Sequence, residues 1–302
     1  MHQTGFSILF LLIFLFLGDI NYTQAQSKNS HPSNDDSILT KKEMRKQIPM
    51  YIAIGLGTNN SMFRDYATSP LDYSGRVSQI SLSRYKLNYK RETELGFSYD
   101  FGSYQNSYNN SFASSDLKRF ELYFSKLYKV KLFEAIGVNT KLGFLLAGNG
   151  NFRINRALQN NGVGIDIFAN LLGSIKFTKD ISRVVAKDKK FLFIKYKLKE
   201  KKRDLAFRIN MGLINSSYRN GYVYTGQSTI LNDAMVFDDY EFDIFSGIRV
   251  SSRLDYTRYL NNKNAVQLSY IWDAYSSGEE LDEFLMAHHI IRLTLLFNTN
   301  NR

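Results

Sequence analysis

Apolar and polar residues alternate along most of the chain from residue 50 onward. In the stretch ETELGFSYDFG (residues 92–102), every second residue from Leu95 to Phe101 is apolar, and the residues between them are polar or glycine. A period of two is that of a β-strand, whose successive side chains point to opposite faces. The chain is therefore predicted to be all-β.

The same alternation predicts eleven strands separated by turn residues. A twelfth strand is expected near 221–229, and the preferred count is twelve. If 191–199 (FLFIKYKLK) is not a membrane strand, the count is ten and 178–203 is a basic periplasmic segment. The predicted strands cover 51–57, 76–89, 92–102, 117–128, 135–147, 163–177, 191–199, 204–215, 241–257, 264–274 and 287–297.

The predicted connections alternate between short and long. Short ones are Lys90-Arg91 and residues 261–264, whereas 58–75, 103–116, 148–162, 216–240 and 276–286 are long and polar. Short periplasmic turns and long external loops are typical of outer-membrane barrels. A soluble sandwich gives no reason for this sorting, so we predict a transmembrane antiparallel up-and-down β-barrel.

In such a barrel the polar face of each strand lines the lumen and the apolar face contacts lipid. A narrow lumen of mixed charge is expected to be filled by ion pairs, with a small basic pore as the alternative. The candidate lumen-lining residues are Glu92, Glu94, Asp100, Glu121, Lys141, Asp166, Lys195, Lys197, Arg208, Arg249, Arg253, Asp255, Asp273 and Arg292. The candidate lipid-facing residues are Leu95, Phe97, Tyr99, Phe101, Val138, Leu142, Phe144, Phe207, Ile209, Val250, Leu293, Leu295 and Phe297.

The first residues predict export. Residues 6–17 (FSILFLLIFLFL) form an apolar block that is shorter than the ~20 residues a membrane-spanning helix needs. Thr23-Gln24-Ala25 supplies a cleavage site between small residues. We expect a signal peptide over 1–25, a flexible periplasmic segment over 26–49 and the barrel over 50–302; an uncleaved anchor is the alternative for the first segment.

Composition narrows the function classes. The formal net charge is +11 and there is no cysteine, which excludes a lipoprotein anchor, thiolate metal ligands and a thiol nucleophile. Lysine and arginine are spread along the chain, and the one dense run, KEKKR at 199–203, accompanies no nucleic-acid-binding motif. We interpret the charge as lumen lining, turn solvation and contact with anionic lipid head groups, and expect no nucleic-acid partner.

Candidate catalytic and metal-binding residues are few. His288 and His289 are adjacent and should point to opposite strand faces, which disfavours one shared metal ion, although the acidic stretch 279–283 precedes them. A hydrolase needs a hydroxyl near a histidine, and the nearest one downstream is Thr294. The acid pair Asp238-Asp239 is the main feature that would suit an omptin-like protease. We expect no catalytic site, no metal and no cofactor.

The alternation, the aromatic residues at strand ends and the amphipathic final stretch HHIIRLTLLFNTNNR resemble the small outer-membrane β-barrel proteins common in Bacteroidota. The resemblance implies a location in the cell outer membrane and a barrel fold, and it implies no activity. We expect a non-catalytic structural or partner-binding role, with outer-membrane lipid and lipopolysaccharide around the wall and envelope proteins or glycans at the external loops. A narrow, weakly anion-favouring pore and an outer-membrane hydrolase of lipid or peptide are the alternatives.

Overall fold

A computed structural model of the chain describes residues 49–106, 114–155, 163–191, 193–220, 240–278 and 282–299. The expectations for 1–25, for 26–48, for a strand at 221–229 and for the acid pair Asp238-Asp239 concern residues outside these ranges. Within them, no helix is long and apolar enough to cross a membrane. The strands are β1 (Met50–Asp65), β2 (Ser69–Leu87), β3 (Arg91–Gln105), β4 (Ser114–Val130), β5 (Val138–Ile154), β6 (Val163–Asp180), β7 (Lys187–Phe191), β8 (Ile194–Leu198), β9 (Arg203–Asn220), β10 (Tyr240–Ile244), β11 (Ile248–Tyr259), β12 (Ala265–Ser277) and β13 (Phe284–Asn298).

Ten of these strands form one closed antiparallel barrel. Strands β1 to β6 pair in chain order, β6 pairs with β9, β9 pairs with β11, and β11 to β13 follow in order. The ring closes where β13 pairs with β1 over fifteen residue pairs, from Tyr51 opposite Asn298 to Asp65 opposite Phe284. Because the ring is closed, each of the ten barrel strands has a hydrogen-bonded neighbour on both sides.

The strand count corrects the expectation of about twelve strands and agrees with the ten-strand alternative. The stretch 191–199 alternates like a membrane strand, but its residues contribute to β7 and β8, which pair with each other in a separate two-stranded sheet. The bridge between Arg183 and Lys201 connects this sheet to the end of the β6–β9 hairpin. We call β7 and β8 the β7–β8 ribbon.

The predicted strand 241–257 is divided into β10 and β11. Between them, Phe245 and Gly247 have φ values of 62° and 72°, in the left-handed region that interrupts a strand. Both pieces pair with β9. A Cβ at position 247 would lie 1.8 Å from the carbonyl oxygen of Ser276, so only glycine fits this break.

The two ends of the barrel differ in their connections. The chain enters and leaves at one end, where the Thr299 backbone N–H donates to the Met50 carbonyl at 2.9 Å; we call it the terminus end and the opposite one the far end. The prediction of a long loop over 58–75 is wrong, because β1 and β2 run to Asp65 and from Ser69. The terminus end also carries the connection 181–202, so the expected sorting of short and long connections holds only in part.

Candidate functional site in the barrel interior

The structure brings twelve of the fourteen candidate lumen-lining residues into the barrel interior, where each is buried or half-buried. The two exceptions are Lys195 and Lys197. Both belong to β8, which lies outside the barrel sheet, so the expectation that they line the lumen is wrong. The interior charges are arranged in four groups that follow one another along the barrel axis from the far end to the terminus end.

At the far end, two carboxylates alternate with two arginines. Arg153 lies 2.6 Å from Asp65 and 2.9 Å from Asp166, and Arg219 lies 2.9 Å from Asp65. All four side chains are at most 6% exposed. Both guanidinium groups also stack near the ring of Phe284, at 5.7 and 4.8 Å from its centroid. The charges of these buried groups compensate one another by pairing.

An aromatic and aliphatic cluster surrounds this group and fills the far end of the interior. Phe284 stacks on Phe63, and Phe168 meets Tyr275 edge to face at 5.0 Å. Close packing of this kind leaves little room for water. The buried members of the cluster are Phe63, Tyr73, Val77, Tyr104, Leu117, Phe168, Tyr275, Phe284 and Met286.

The second group is centred on Arg119. This side chain is 1% exposed and lies 3.0 Å from Asp100, 3.2 Å from Asp273 and 3.3 Å from Glu121. Arg249 bridges two of these acids, at 2.6 Å from Glu121 and 2.9 Å from Asp273. Two arginines and three carboxylates therefore crosslink β3, β4, β11 and β12 across the middle of the barrel.

The third group is built on Glu94. Arg253 lies 3.1 Å from this carboxylate and 2.8 Å from Asp255. The Tyr123 hydroxyl donates to Glu94 at 2.9 Å, and Arg208 lies 3.6 Å away. A small cavity of about 80 Å³ separates this group from the second one, and Arg292 lines it.

The fourth group lies next to an open cavity of about 520 Å³ at the terminus end. Glu92 pairs there with Lys141 at 3.1 Å and with Lys176 at 2.5 Å. At the mouth, Lys129 donates to Glu134 at 2.5 Å, and this hydrogen bond lowers the pKa of the exposed Glu134 carboxyl. The cavity is also lined by Tyr51, Tyr85, Tyr89, Asp204 and Tyr259.

Five members of these four ionic groups were not among the sequence candidates. Arg119 and Lys176 share strand parity with the candidates Glu121 and Asp166, so alternation alone could have identified them. Asp65, Arg153 and Arg219 lie in stretches that were predicted as the loops 58–75, 148–162 and 216–240, although the structure extends strands into all three. Asp166 is therefore the one member of the far-end group that the sequence pattern predicted.

The two adjacent histidines lie on opposite faces of β13. His288 is fully buried inside the barrel, and its Nδ1 lies 3.0 Å from the Asn59 side-chain amide. His289 is exposed on the outer wall, where its Nδ1 lies 2.8 Å from the Tyr270 hydroxyl. Among the residues described, no three histidine or acidic side chains are placed to hold a metal ion.

The outer wall carries the candidate lipid-facing residues. All but one of them are exposed or half-exposed, as is Leu56 at 64%. Val138 is the exception at 7%. It begins β5 directly after the short 3₁₀ turn Glu134–Ile136 and lines the terminus-end cavity, so the expectation of an outer-wall position is wrong there. A closed barrel with an apolar wall and a polar, ion-paired interior is the architecture of membrane-spanning β-barrels.

Comparison with known proteins shows similarity of fold and none of sequence family. No protein family model matches the chain, and no curated protein matches its sequence. Among solved structures, it is similar to the outer membrane protease OmpT from Escherichia coli, with TM-score 0.49, 9% identity and coverage of 83% of this chain and 96% of that one. It is also similar to the transport unit of the autotransporter AIDA-I from Escherichia coli, with TM-score 0.42, 9% identity and coverage of 90% and 93%. The translocator domain of the autotransporter NalP from Neisseria meningitidis gives TM-score 0.37, 8% identity and coverage of 82% and 88%. At these identities and TM-scores the likenesses indicate no function for this chain.

Proposed function

We propose that this protein is an outer-membrane β-barrel with a sealed interior and a structural or partner-binding role, without catalytic activity. Its proposed neighbours are outer-membrane lipid and lipopolysaccharide, with envelope proteins or glycans at the far-end loops. We also propose that the protein is one of the small outer-membrane barrels of the Bacteroidota type.

The observation that carries the proposal is the filling of the described interior. A transported ion would have to cross the aromatic cluster and the groups around Arg219 and Arg119, whose charges are already paired at 2.6 to 3.3 Å. Breaking a buried pair costs about 3–5 kcal/mol, which opposes spontaneous opening. The weakly anion-favouring pore is therefore the less supported alternative.

The hydrolase alternative is less supported for a related reason. Catalysis needs a nucleophile or general base within reach of a substrate. His288 is fully buried and contacts an amide, and Asp65 and Asp166 are at most 1% exposed and bound to arginines. His289 is accessible, but its neighbour on the wall is a tyrosine.

Planar-bilayer recording tests the proposal. Purified protein whose heat-modifiable gel migration confirms folding is expected to insert and to give no steady conductance in concentrated salt. Steady conductance that scales with salt would contradict the sealed interior and favour the pore. A soluble monomer that needs no detergent would contradict the membrane barrel itself.

A further inference from the structure

A row of polar side chains interrupts the apolar outer wall toward the far end. Trp272, His289, Asn60 and Arg76 are directly opposite one another on the adjacent strands β12, β13, β1 and β2. Adjacent strands are about 4.8 Å apart, so the row spans about 15 Å. On β1, the apolar wall residues Ile52, Ile54 and Leu56 lie on the terminus side of this row.

An open groove of about 640 Å³ lies on the wall at this row. The Arg76 Nε donates to the Asn60 side-chain oxygen at 3.2 Å, which orients the guanidinium group. Within the described part of the chain, no hydrogen bond or ion pair involves the Nη atoms of Arg76 or the Nε2 of His289. No acidic residue lines the groove, whose lining is Asn60, Ser61, Met62, Ser74, Gly75, Arg76, Ala287 and His289.

Trp272, the single tryptophan of the chain, indicates the depth of this row. Indole rings favour the membrane–water interface, because the ring is apolar and its N–H is polar. The row lies on the far-end side of the apolar wall, opposite the chain termini. Three of the four connections at the terminus end, 88–90, 131–137 and 260–264, are short. Short turns of an outer-membrane barrel face the periplasm, so the far-end side is expected to meet the outer leaflet.

We propose that this groove binds the phosphate group of a phosphorylated glycolipid in the outer leaflet. The inference rests on the proposed membrane location. The free Nη atoms of Arg76 match two phosphate oxygens in a bidentate pair. Asn60 and His289 provide further hydrogen-bonding groups on either side of the phosphate, and Met62 and Ala287 provide apolar contact for the rest of the lipid.

Trp272 supplies the fluorescence readout, because it lies on the neighbouring strand directly opposite His289, which lines the groove. The protein is reconstituted in zwitterionic vesicles containing a phosphorylated glycolipid with brominated acyl chains, or the same brominated lipid without its phosphates. Tryptophan quenching is measured against mole fraction. We expect the phosphorylated lipid to reach half-maximal quenching at a mole fraction about tenfold or more lower than the lipid without phosphates. A charge-assisted hydrogen bond contributes a binding free energy of the size that gives such a ratio.

Arg76→Gln is expected to abolish this preference. The matched control is Arg84→Gln, which removes an exposed arginine from the same face of β2 near the terminus end, where its guanidinium contacts Met50; it should leave the preference intact. Equal quenching by both lipids in the unmodified protein, or a preference that survives Arg76→Gln, would overturn the proposal. Inorganic phosphate is added as a competitor of the phosphorylated lipid. If it abolishes the preferential quenching at the concentration at which the lipid itself binds, the lipid assignment is overturned.

The experiment separates failure of this site from failure of the membrane location. If the chain is no membrane barrel, brominated bulk phospholipid will not quench Trp272 and the gel migration will not respond to heat. If only the groove assignment is wrong, both signals remain and the phosphate preference alone is absent.

Discussion

At the scale of single residues, strand parity predicted most of what the structure shows. Alternation placed Phe97 and Ser98 on opposite faces, and their side chains are 42% and 2% exposed. Parity fails where a strand end meets a turn, as at Val138, because the local turn decides burial there. It could not show which charges pair, since ion pairs such as Arg119–Asp273 join residues far apart in sequence.

The lipid-facing assignment predicts different labelling at positions 97 and 98. With no native cysteine, Phe97→Cys and Ser98→Cys each introduce a unique thiol. A fluorophore at position 97 should be quenched by a lipid-confined quencher, because the outer face of a membrane barrel contacts acyl chains. One at position 98 should escape that quencher, since Ser98 lies inside. Equal quenching at both positions would contradict the assignment.

The ionic interior predicts a large effect from one buried arginine. Arg119→Met removes the partner of Asp100 and leaves that carboxylate buried without its ion pair. We expect a loss of about 3–5 kcal/mol in the free energy of unfolding, measured by urea titration in lipid vesicles. The control, Arg64→Met, removes a partly exposed bridge to Glu283 and should cost less than about 1 kcal/mol. Similar small losses for both variants would show that the central group adds little stability.

At the scale of elements, the pattern located strands better than it located their partners. FLFIKYKLK alternates well, yet alternation says nothing about which strand lies alongside, and β8 pairs with β7 outside the barrel. The far-end halves of β1 and β2 were missed for the opposite reason. Both faces are polar around Asn59-Asn60-Ser61, and farther along the apolar side chains Phe63 and Tyr73 point inward. The contrast between an apolar outer face and a polar inner face is therefore absent or reversed there.

Removal of the β7–β8 ribbon tests this element. Arg183 and Lys201 pair opposite each other, so residues 184–200 can be replaced by Asn-Gly, a dipeptide suited to a tight hairpin turn. We expect the barrel to fold with its heat-modifiable migration unchanged, because the ribbon pairs with no barrel strand. Loss of assembly would contradict the placement of the ribbon outside the barrel and favour a larger strand count.

At the scale of the whole molecule, neighbouring hairpins follow from sequence order, but closure of the ring does not. The seam joins β1 and β13, which lie at opposite ends of the barrel sequence, and no local pattern specifies that pairing or the ten-strand count. The apolar wall explains why closure is required. An open edge in lipid would leave backbone N–H and C=O groups unpaired at a cost of several kcal/mol each.

Disulfide formation across the seam tests closure directly. Leu56 lies opposite Leu293 on β13 and opposite Ile80 on β2. The pair Leu56→Cys/Leu293→Cys should oxidise to a disulfide in the folded protein, because directly opposite residues on neighbouring strands have Cβ atoms about 4.5–5.5 Å apart.

The pair Leu56→Cys/Ile80→Cys is the positive control, since that hairpin forms whether or not the ring closes. The pair Leu56→Cys/Leu268→Cys spans two strand spacings, about 10 Å, and should stay reduced because a disulfide cannot bridge that distance. Non-reducing gels report each product, and a seam pair that stays reduced while the hairpin pair oxidises would contradict a closed ten-stranded barrel.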